Sequence, residues 1–298
     1  MGKRAEVVAA HRAAGREFEA DGVQSFVREE GRGEAVVCMH GVPASCFLYR
    51  NVLPELAARG LRGIAFDLPG LGLAARPESY DYTWTGLGRF SIAAIDALGL
   101  DDFHLVVHDI GGPVGLEIAA AMPERIRSLL ILNTLIEVAD FHRPWMMEPF
   151  ARRGIGPIYV ATLNGVAWNL LMANAGVGDM SKVPREELAA YVDLLKREDG
   201  GRAFLKVMRG FERTKEKQDL YVGTLQAATY PKRVLWGADD PALTLEKMGE
   251  QARRSAGVDK VHTVPGKHFL QEDQPAAVAQ HVAELAAEAN ASSGGSLA

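Results

Sequence analysis

The most constraining stretch of the chain runs from His104 to Ala119. Leu105, Val106 and Val107 are apolar, which reads as the end of a buried strand. His108, Asp109, Ile110, Gly111 and Gly112 follow as a sharp turn. From Val114 to Ala121 the chain is apolar and helix-compatible. A strand feeding a helix through a turn with small residues at fixed places exposes one side chain at the top of a sheet. Ser is the usual occupant of that position; here it is Asp109.

A carboxylate at such a turn suits some electrophiles and not others. Attack on an ester carbonyl gives a mixed anhydride, which gains little over the starting ester. Attack on saturated carbon gives an alkyl ester that water can hydrolyse in a second step. Asp109 therefore points to displacement at sp3 carbon, either carbon–halogen cleavage or epoxide opening. Asp is also a common helix N-cap, so its partners decide between the two readings.

The rest of the chain has the rhythm of an α/β fold. Residues 6–20 are expected to form a short amphipathic helix, and 23–28 alternate like an antiparallel edge strand. Residues 35–39 and 62–66 are continuous apolar runs, the mark of central strands buried on both faces. Helices are expected over 47–59 and 85–98, with strands at 103–107 and 126–132. Such alternation, with polar loops at strand C-termini, predicts a mostly parallel sheet with helices on both faces. The rhythm then breaks. Between about 138 and 222 only helical patterns occur, near 145–152, 157–173, 184–197 and 201–210, and this segment is expected to be an inserted helical cap. Strands resume at 233–236 and 261–264, and a final helix is expected from Ala276 to about Ala289. The predicted organisation is thus a core of 1–137 and 223–290, a cap of 138–222, and a flexible tail of 291–298.

Composition narrows the partners. At 298 residues the chain is long enough for one large α/β domain with an insertion. A net charge of −5 gives no reason to expect nucleic acid or an anionic membrane. No apolar run is long enough to span a bilayer, and no apolar segment follows Lys3 and Arg4 as in a secretory leader. Cys38 and Cys46 suit neither a disulfide framework nor a metal site, so a reducing, cytoplasmic setting is expected. Cys38 reads as a small buried hydrophobe. The composition leaves the oligomeric state open.

Two strand ends beyond the cap supply partners for Asp109. Asp240 follows the strand at 233–236, where a carboxylate can orient an imidazole; Asp239 is its neighbour and rival, and Glu137 is an alternative acid. His268 lies in a Gly-containing loop before the last helix. In this arrangement Asp109 attacks carbon, His268 takes a proton from water, and Asp240 holds the imidazole tautomer. The backbone N–H groups of Val42 and Ile110 are expected to form an oxyanion hole. His40 is read first as a turn-organising residue and second as a pocket residue, and His108 as pointing away from Asp109. Gly70 and Gly72 read as turn glycines, since no Gly-Lys-Ser/Thr follows.

With these residues in view the chain resembles the α/β-hydrolase superfamily, in its branch of haloalkane dehalogenases and epoxide hydrolases. His40 to Pro43 looks like the branch's H-G-x-P, Asp67 to Gly72 like its D-x-x-G-x-G, and His108 to Gly111 like its H-D-x-G. The order Asp109, Asp240, His268 matches the family's nucleophile, acid, histidine. His268 to Asp273 resembles the H-F-x-Q-E-D found in dehalogenases. The likeness covers roughly 30–137 and 230–285. It implies an α/β-hydrolase fold, no cofactor, and an active site between core and cap. The apolar tone of Met146, Met147, Phe150, Ile155, Leu170, Leu171 and Met172 suggests that the site takes a small hydrophobic electrophile and water, although ordinary packing explains these residues equally well.

Two departures bear on the reaction. Dehalogenases usually place Trp after the nucleophile, and some place Asn third in H-G-x-P, as halide donors. Ile110 and Val42 stand there instead. A cap Trp can serve, with Trp168 or Trp145 as the candidate. Epoxide hydrolases protonate the leaving alkoxide with cap tyrosines; Tyr159 is placed for one, while no Tyr occurs near 207–209, and Tyr191 and Tyr221 are spare. The leading expectation is a haloalkane dehalogenase-like hydrolase. An epoxide hydrolase, a hydrolase of a strained lactone and a non-catalytic small-molecule receptor are the alternatives.

Overall fold

Consecutive apolar runs become the centre of an eight-stranded sheet. The computed structural model describes residues 2–294. The strands are β1 (Arg16–Ala20), β2 (Val23–Glu30), β3 (Ala35–Met39), β4 (Arg62–Phe66), β5 (Phe103–Asp109), β6 (Ile126–Thr134), β7 (Lys232–Gly237) and β8 (Val261–Val264). They lie in the order β1-β2-β4-β3-β5-β6-β7-β8. β1 pairs with β2, and β2 with β4, antiparallel; all other pairs are parallel.

The core helices in the first half are α1 (Lys3–Ala13), α2 (Val52–Ala57), α3 (Trp84–Ala97) and α4 (Gly111–Ala121). The insertion carries α5 (Glu148–Ala151), α6 (Ile155–Thr162), α7 (Gly165–Leu171), α8 (Arg185–Lys196) and α9 (Arg202–Arg209). After it come α10 (Lys215–Ala227), α11 (Glu250–Ala256), α12 (Leu270–Asp273) and α13 (Pro275–Gly294). Among the described residues no strand occurs between 138 and 222.

The alternation of side chains along each strand splits the core into two layers. Val37 and Met39 of β3 pack with Leu87 and Phe90 of α3 and Val114 of α4. Val36 and Cys38 pack on the other face with Leu53 and Leu56 of α2 and Val282 and Leu285 of α13. Both faces are dry, which is why these strands read as unbroken apolar runs. β4 lies on one side of β3 and β5 on the other. The strand order therefore reverses at β3, and the crevice outside the carboxyl ends of β3 and β5 is where such sheets bind ligands.

Several expectations need correction. The helix expected over 6–20 ends at Ala13, and Arg16–Ala20 is a strand. Asp21 and Gly22, both at positive φ (48° and 68°), form the two-residue turn that pairs Ala20 with Val23. An Asp-Gly pair is a strong hairpin signal, and it overrides the helical pattern before it. The helix expected over 47–59 is a short 3-10 turn, Cys46–Tyr49, followed by α2. The helix expected over 157–173 breaks at Leu163 and Asn164, where the chain bends by 97°. Asn164 caps α7 there, its side-chain oxygen accepting from the N–H groups of Val166 and Ala167, each at 3.0 Å. The boundary expected at 222 falls inside α10. Of the tail expected at 291–298, residues 291–294 continue α13 and 295–298 lie outside the described residues. Among the described residues no single helix is long and apolar enough to cross a membrane.

Candidate active site

Asp109 ends β5 at φ 52°, a left-handed conformation that costs a non-glycine residue roughly 1–2 kcal/mol. Its surroundings hold it there. The Thr134 hydroxyl, at the end of β6, donates to the Asp109 carbonyl. Gly111 and Gly112 let α4 start against two strand ends. A Cβ on Gly111 would lie 2.5 Å from the Met39 carbonyl oxygen, and one on Gly112 would lie 1.9 Å from Thr134 Oγ1. The glycines of the turn are thus a steric requirement of the close approach between β3, β5 and β6.

The carboxylate of Asp109 is tied from one side. The Val42 N–H donates to Oδ1 at 2.7 Å, and the adjacent Ile110 N–H favours the charged carboxylate. Gly41 permits this contact, because a Cβ there would stand 2.1 Å from Oδ1. Oδ2 faces His268, whose Nε2 is 3.5 Å away. The opposite ring nitrogen, Nδ1, lies 2.8 Å from Oδ2 of Asp240.

Asp240 is buried and fully committed. Its Oδ2 also accepts from Asn133 Nδ2 at 2.7 Å, and its Oδ1 accepts from the N–H groups of Ala242 (2.8 Å) and Leu243 (2.9 Å). Asn133 in turn accepts the Gly237 N–H at 2.9 Å through Oδ1, so the end of β6 fixes both the acid and the strand that carries it. Asn133 escaped the sequence reading as a site residue; its place at a strand end beside Thr134 was the only signal for it.

Burial and charge act against each other at all three groups. Burial opposes the charged form of His268, but the Asp240 carboxylate and hydrogen bonds to Asp109 and Asp240 outweigh it and raise the imidazolium to about 10. Burial pushes Asp109 up; the hydrogen bond and charge of His268 prevail and hold it below the usual carboxylate range. For Asp240 burial is again overcome, by the His268 charge and by the donors around it.

Both neighbouring histidines have other jobs. Nε2 of His108 meets the His268 carbonyl at 2.8 Å, and its ring lies 4.7 Å from the His268 ring, so it anchors the loop that carries His268. Burial pushes His108 down to about 3, leaving it neutral. His40 is fully buried. Nε2 accepts the Leu68 N–H at 3.0 Å, so Nδ1 carries the proton and donates to the Gly41 carbonyl at 2.9 Å. It ties the loops after β3 and β4 and does not line the cavity, which corrects its candidacy as a pocket residue.

The cavity above Asp109 and His268 lies between core and insertion. Val42, Pro43, Leu135, Trp168 and Phe269 are among its walls, with Met146, Met147, Met172 and Met208. Trp168 is 3 % exposed, and its indole N–H has no hydrogen-bond partner among the described residues.

Other candidates lie elsewhere. Trp145 is 82 % exposed and is not among the residues lining the cavity. Tyr159 packs on Phe150 at the surface, with its ring 4.7 Å from that ring. Tyr191 donates to Glu272, and Tyr221 donates to Glu117 at 2.8 Å. Glu137 is engaged with Gln251 at 3.2 Å and Ser255 at 3.3 Å, away from His268. Asp239 is exposed, and only Asp240 reaches the imidazole.

A buried Asp–His–Asp constellation at the carboxyl ends of β5, β7 and β8 is the arrangement of a hydrolase on an α/β sheet. The chain belongs to the alpha/beta hydrolase family, whose profile matches residues 36–281, and within it to the haloalkane dehalogenase branch. It is 30 % identical to a haloalkane dehalogenase of Mesorhizobium japonicum, over 88 % of this chain and 87 % of that one. The crystal structure of haloalkane dehalogenase DbeA from Bradyrhizobium elkani superposes with a TM-score of 0.78 at 25 % identity, covering 93 % of this chain and 99 % of that chain. An epoxide hydrolase from Vigna radiata shares the fold, with a TM-score of 0.71 at 22 % identity over 92 % of this chain and 97 % of that one.

Proposed function

We propose that this hydrolase cleaves carbon–halogen bonds through an alkyl ester on Asp109. Oδ1 is held by the Val42 N–H, and Oδ2 is left to attack. Oδ2 forms a bond to the substrate carbon as the carbon–halogen bond breaks, and halide leaves. His268 Nε2 then takes a proton from water, and the hydroxide adds to the Asp109 carboxyl carbon. The Val42 and Ile110 N–H groups hold the resulting oxyanion on Oδ1. Collapse expels the alcohol and restores Asp109. Asp240 keeps the proton on Nδ1 and stabilises the imidazolium.

The observation that carries the choice of leaving group is the Trp168 indole N–H. It is buried, unpartnered, and on a residue lining the same cavity as Asp109. An unsatisfied buried donor costs free energy unless something accepts from it. A halide would accept from it, being an anion of low hydration cost beside apolar walls. The epoxide reading needs an O–H donor for the alkoxide, and no tyrosine is among the residues lining the cavity.

The test is intact-protein mass spectrometry on His268→Phe after incubation with bromo- and iodoalkanes and, separately, with terminal epoxides. Without its base the enzyme should stall as the Asp109 ester. An alkyl adduct from the halides supports the reading. An adduct from epoxides alone reverses it, and a folded protein with no adduct from either leaves a binding role.

A further inference from the structure

Besides His268, the cavity wall carries a permanent cation, Arg143, among its methionines and aromatics. Its side chain is 6 % exposed. A guanidinium carries five N–H donors, and this one makes a single hydrogen bond, from Nη2 to the Met208 carbonyl at 2.6 Å. Nε is buried with no partner. Glu148, the one carboxylate facing it, is 3.7 Å from Nη1, beyond hydrogen-bond reach, and is itself 40 % exposed. Phe211 lies flat against the cation, with its ring centre 4.5 Å from the guanidinium carbon. Arg213, with its own Nη1 on the Phe141 carbonyl at 3.0 Å, adds a second positive charge nearby. The ion pair of Arg143 with the half-exposed Glu148 leaves the buried Nε without an acceptor among the described residues, and a buried cation so incompletely paired is costly to keep. One backbone carbonyl and one ring face do not require it, since a neutral side chain would fill the same space.

We propose that Arg143 is an anion-reading residue of the cavity, and that the substrate carries a carboxylate at the end opposite its electrophilic carbon. The inference deepens the reading of this cavity as the reaction site, and names the substrate class as short haloalkanoates. Two unpaired donors line one apolar space. Trp168 suits the leaving halide, and Arg143 suits a planar carboxylate, which its fork can bind with two N–H groups. The cavity space is about 70 Å³, less than the ~150 Å³ that holds benzene in an engineered apolar cavity, which favours a short chain between the two ends.

The test separates recognition from reaction. The wild-type chain is titrated calorimetrically at pH 7 with butanoate and with butanamide, which share shape and differ in charge. Butanoate should bind at least tenfold more tightly. Arg143→Met should bring the ratio near one, and Arg143→Lys should keep part of it, because Lys retains the charge and loses the fork. Glu148→Gln removes the competing carboxylate from a half-exposed position and should tighten butanoate several-fold with little change for butanamide. A wild-type ratio near one, or a ratio unchanged in folded Arg143→Met, overturns the proposal. If Arg143→Met does not fold, unchanged butanoate affinity in Glu148→Gln overturns it instead. None of these readouts needs turnover. Failure of His268→Phe to take up an alkyl group would sink the reaction assignment while leaving the binding result standing.

Discussion

His268 stands closer to its orienting acid than to the candidate nucleophile: Nδ1 is 2.8 Å from Asp240, whereas Nε2 is 3.5 Å from Asp109. The imidazole is raised to about 10 because two carboxylates face it. At neutral pH it rests as an imidazolium, which is the wrong form for a base. In the proposed scheme, alkylation of Asp109 cures this. The ester has no charge and a weaker acceptor, so one of the two stabilising neighbours is lost and the imidazole gives up its proton more readily. The expected outcome in single-turnover experiments is an alkylation rate that is flat with pH through the neutral range. Ester hydrolysis should rise with pH through a pKa below about 10. Rapid-quench mass spectrometry of the adduct measures both; a hydrolysis rate falling as pH rises would contradict the scheme.

The same three side chains predict how stability depends on pH. The folded value of His268, about 10, is above its unfolded value near 6.5. Its contribution is therefore fully present below about 6.5 and is lost as pH rises through 10. Asp109 and Asp240 are depressed below 3.8, so their contribution is present above 3.8 and is lost as pH falls through their lower folded values. Urea midpoints should thus decline between pH 7 and pH 10 in the wild type. In His268→Gln that decline should be largely gone, which equilibrium unfolding at several pH values will show.

Trp168→Phe keeps an aromatic ring in α7 and deletes only the indole N–H. If that N–H holds the departing halide, kcat for bromoalkanes should fall by about 100–1000-fold, the range seen when a single preorganised donor is removed from a developing anion. The deficit should be larger for chloride than for iodide, because the smaller anion depends more on its donor. An equal loss for every halogen would point to packing, since Trp168 also touches Tyr191 and Phe269, with ring centres 6.0 Å and 6.5 Å away.

Core strands and the Asp109 turn were legible because their physics is local. A strand buried on both faces must be apolar throughout, as at Val36–Met39, and a tight turn between strand and helix must use small residues, as at Gly111 and Gly112. Asp240 could be preferred over Asp239 only by position after β7; the structure adds Asn133 and two backbone donors, contacts that come from a different strand and a later turn. The helical insertion was less legible. Its helices are short and apolar on several sides, so periodicity joined α6 and α7 across the Asn164 cap, and spacing alone could not tell inward Trp168 from outward Trp145. The unpaired donors of Trp168 and Arg143 are properties of the packed cavity and have no signature in sequence.

The segment after His268 does more than lead into the last helix. Glu272 is completely buried, and its two oxygens accept from Nη1 and Nη2 of Arg50, both at 2.7 Å. Tyr191 of α8 donates to the same carboxylate. Arg50 also reaches Glu187 of α8 at 2.6 Å. The next residue, Asp273, accepts the Asp179 N–H at 2.7 Å. One short helix beside His268 thus straps the insertion to the core by buried charge. Removing one member of a buried pair leaves the other uncompensated and costs about 3–5 kcal/mol. Glu272→Ala should therefore lower the unfolding free energy by about that amount, which urea titration measures, and should loosen the contacts of α8 before those of the sheet. Hydrogen exchange resolves the order: early exchange over 185–196 with β3, β5 and β6 still protected is the expected pattern. Exchange spread evenly over core and insertion would mean that Arg50 and Glu272 serve the core alone. The double variant Glu272→Leu with Arg50→Met removes both charges together and should recover much of the loss, because a buried ion pair contributes less net stability than its breakage suggests.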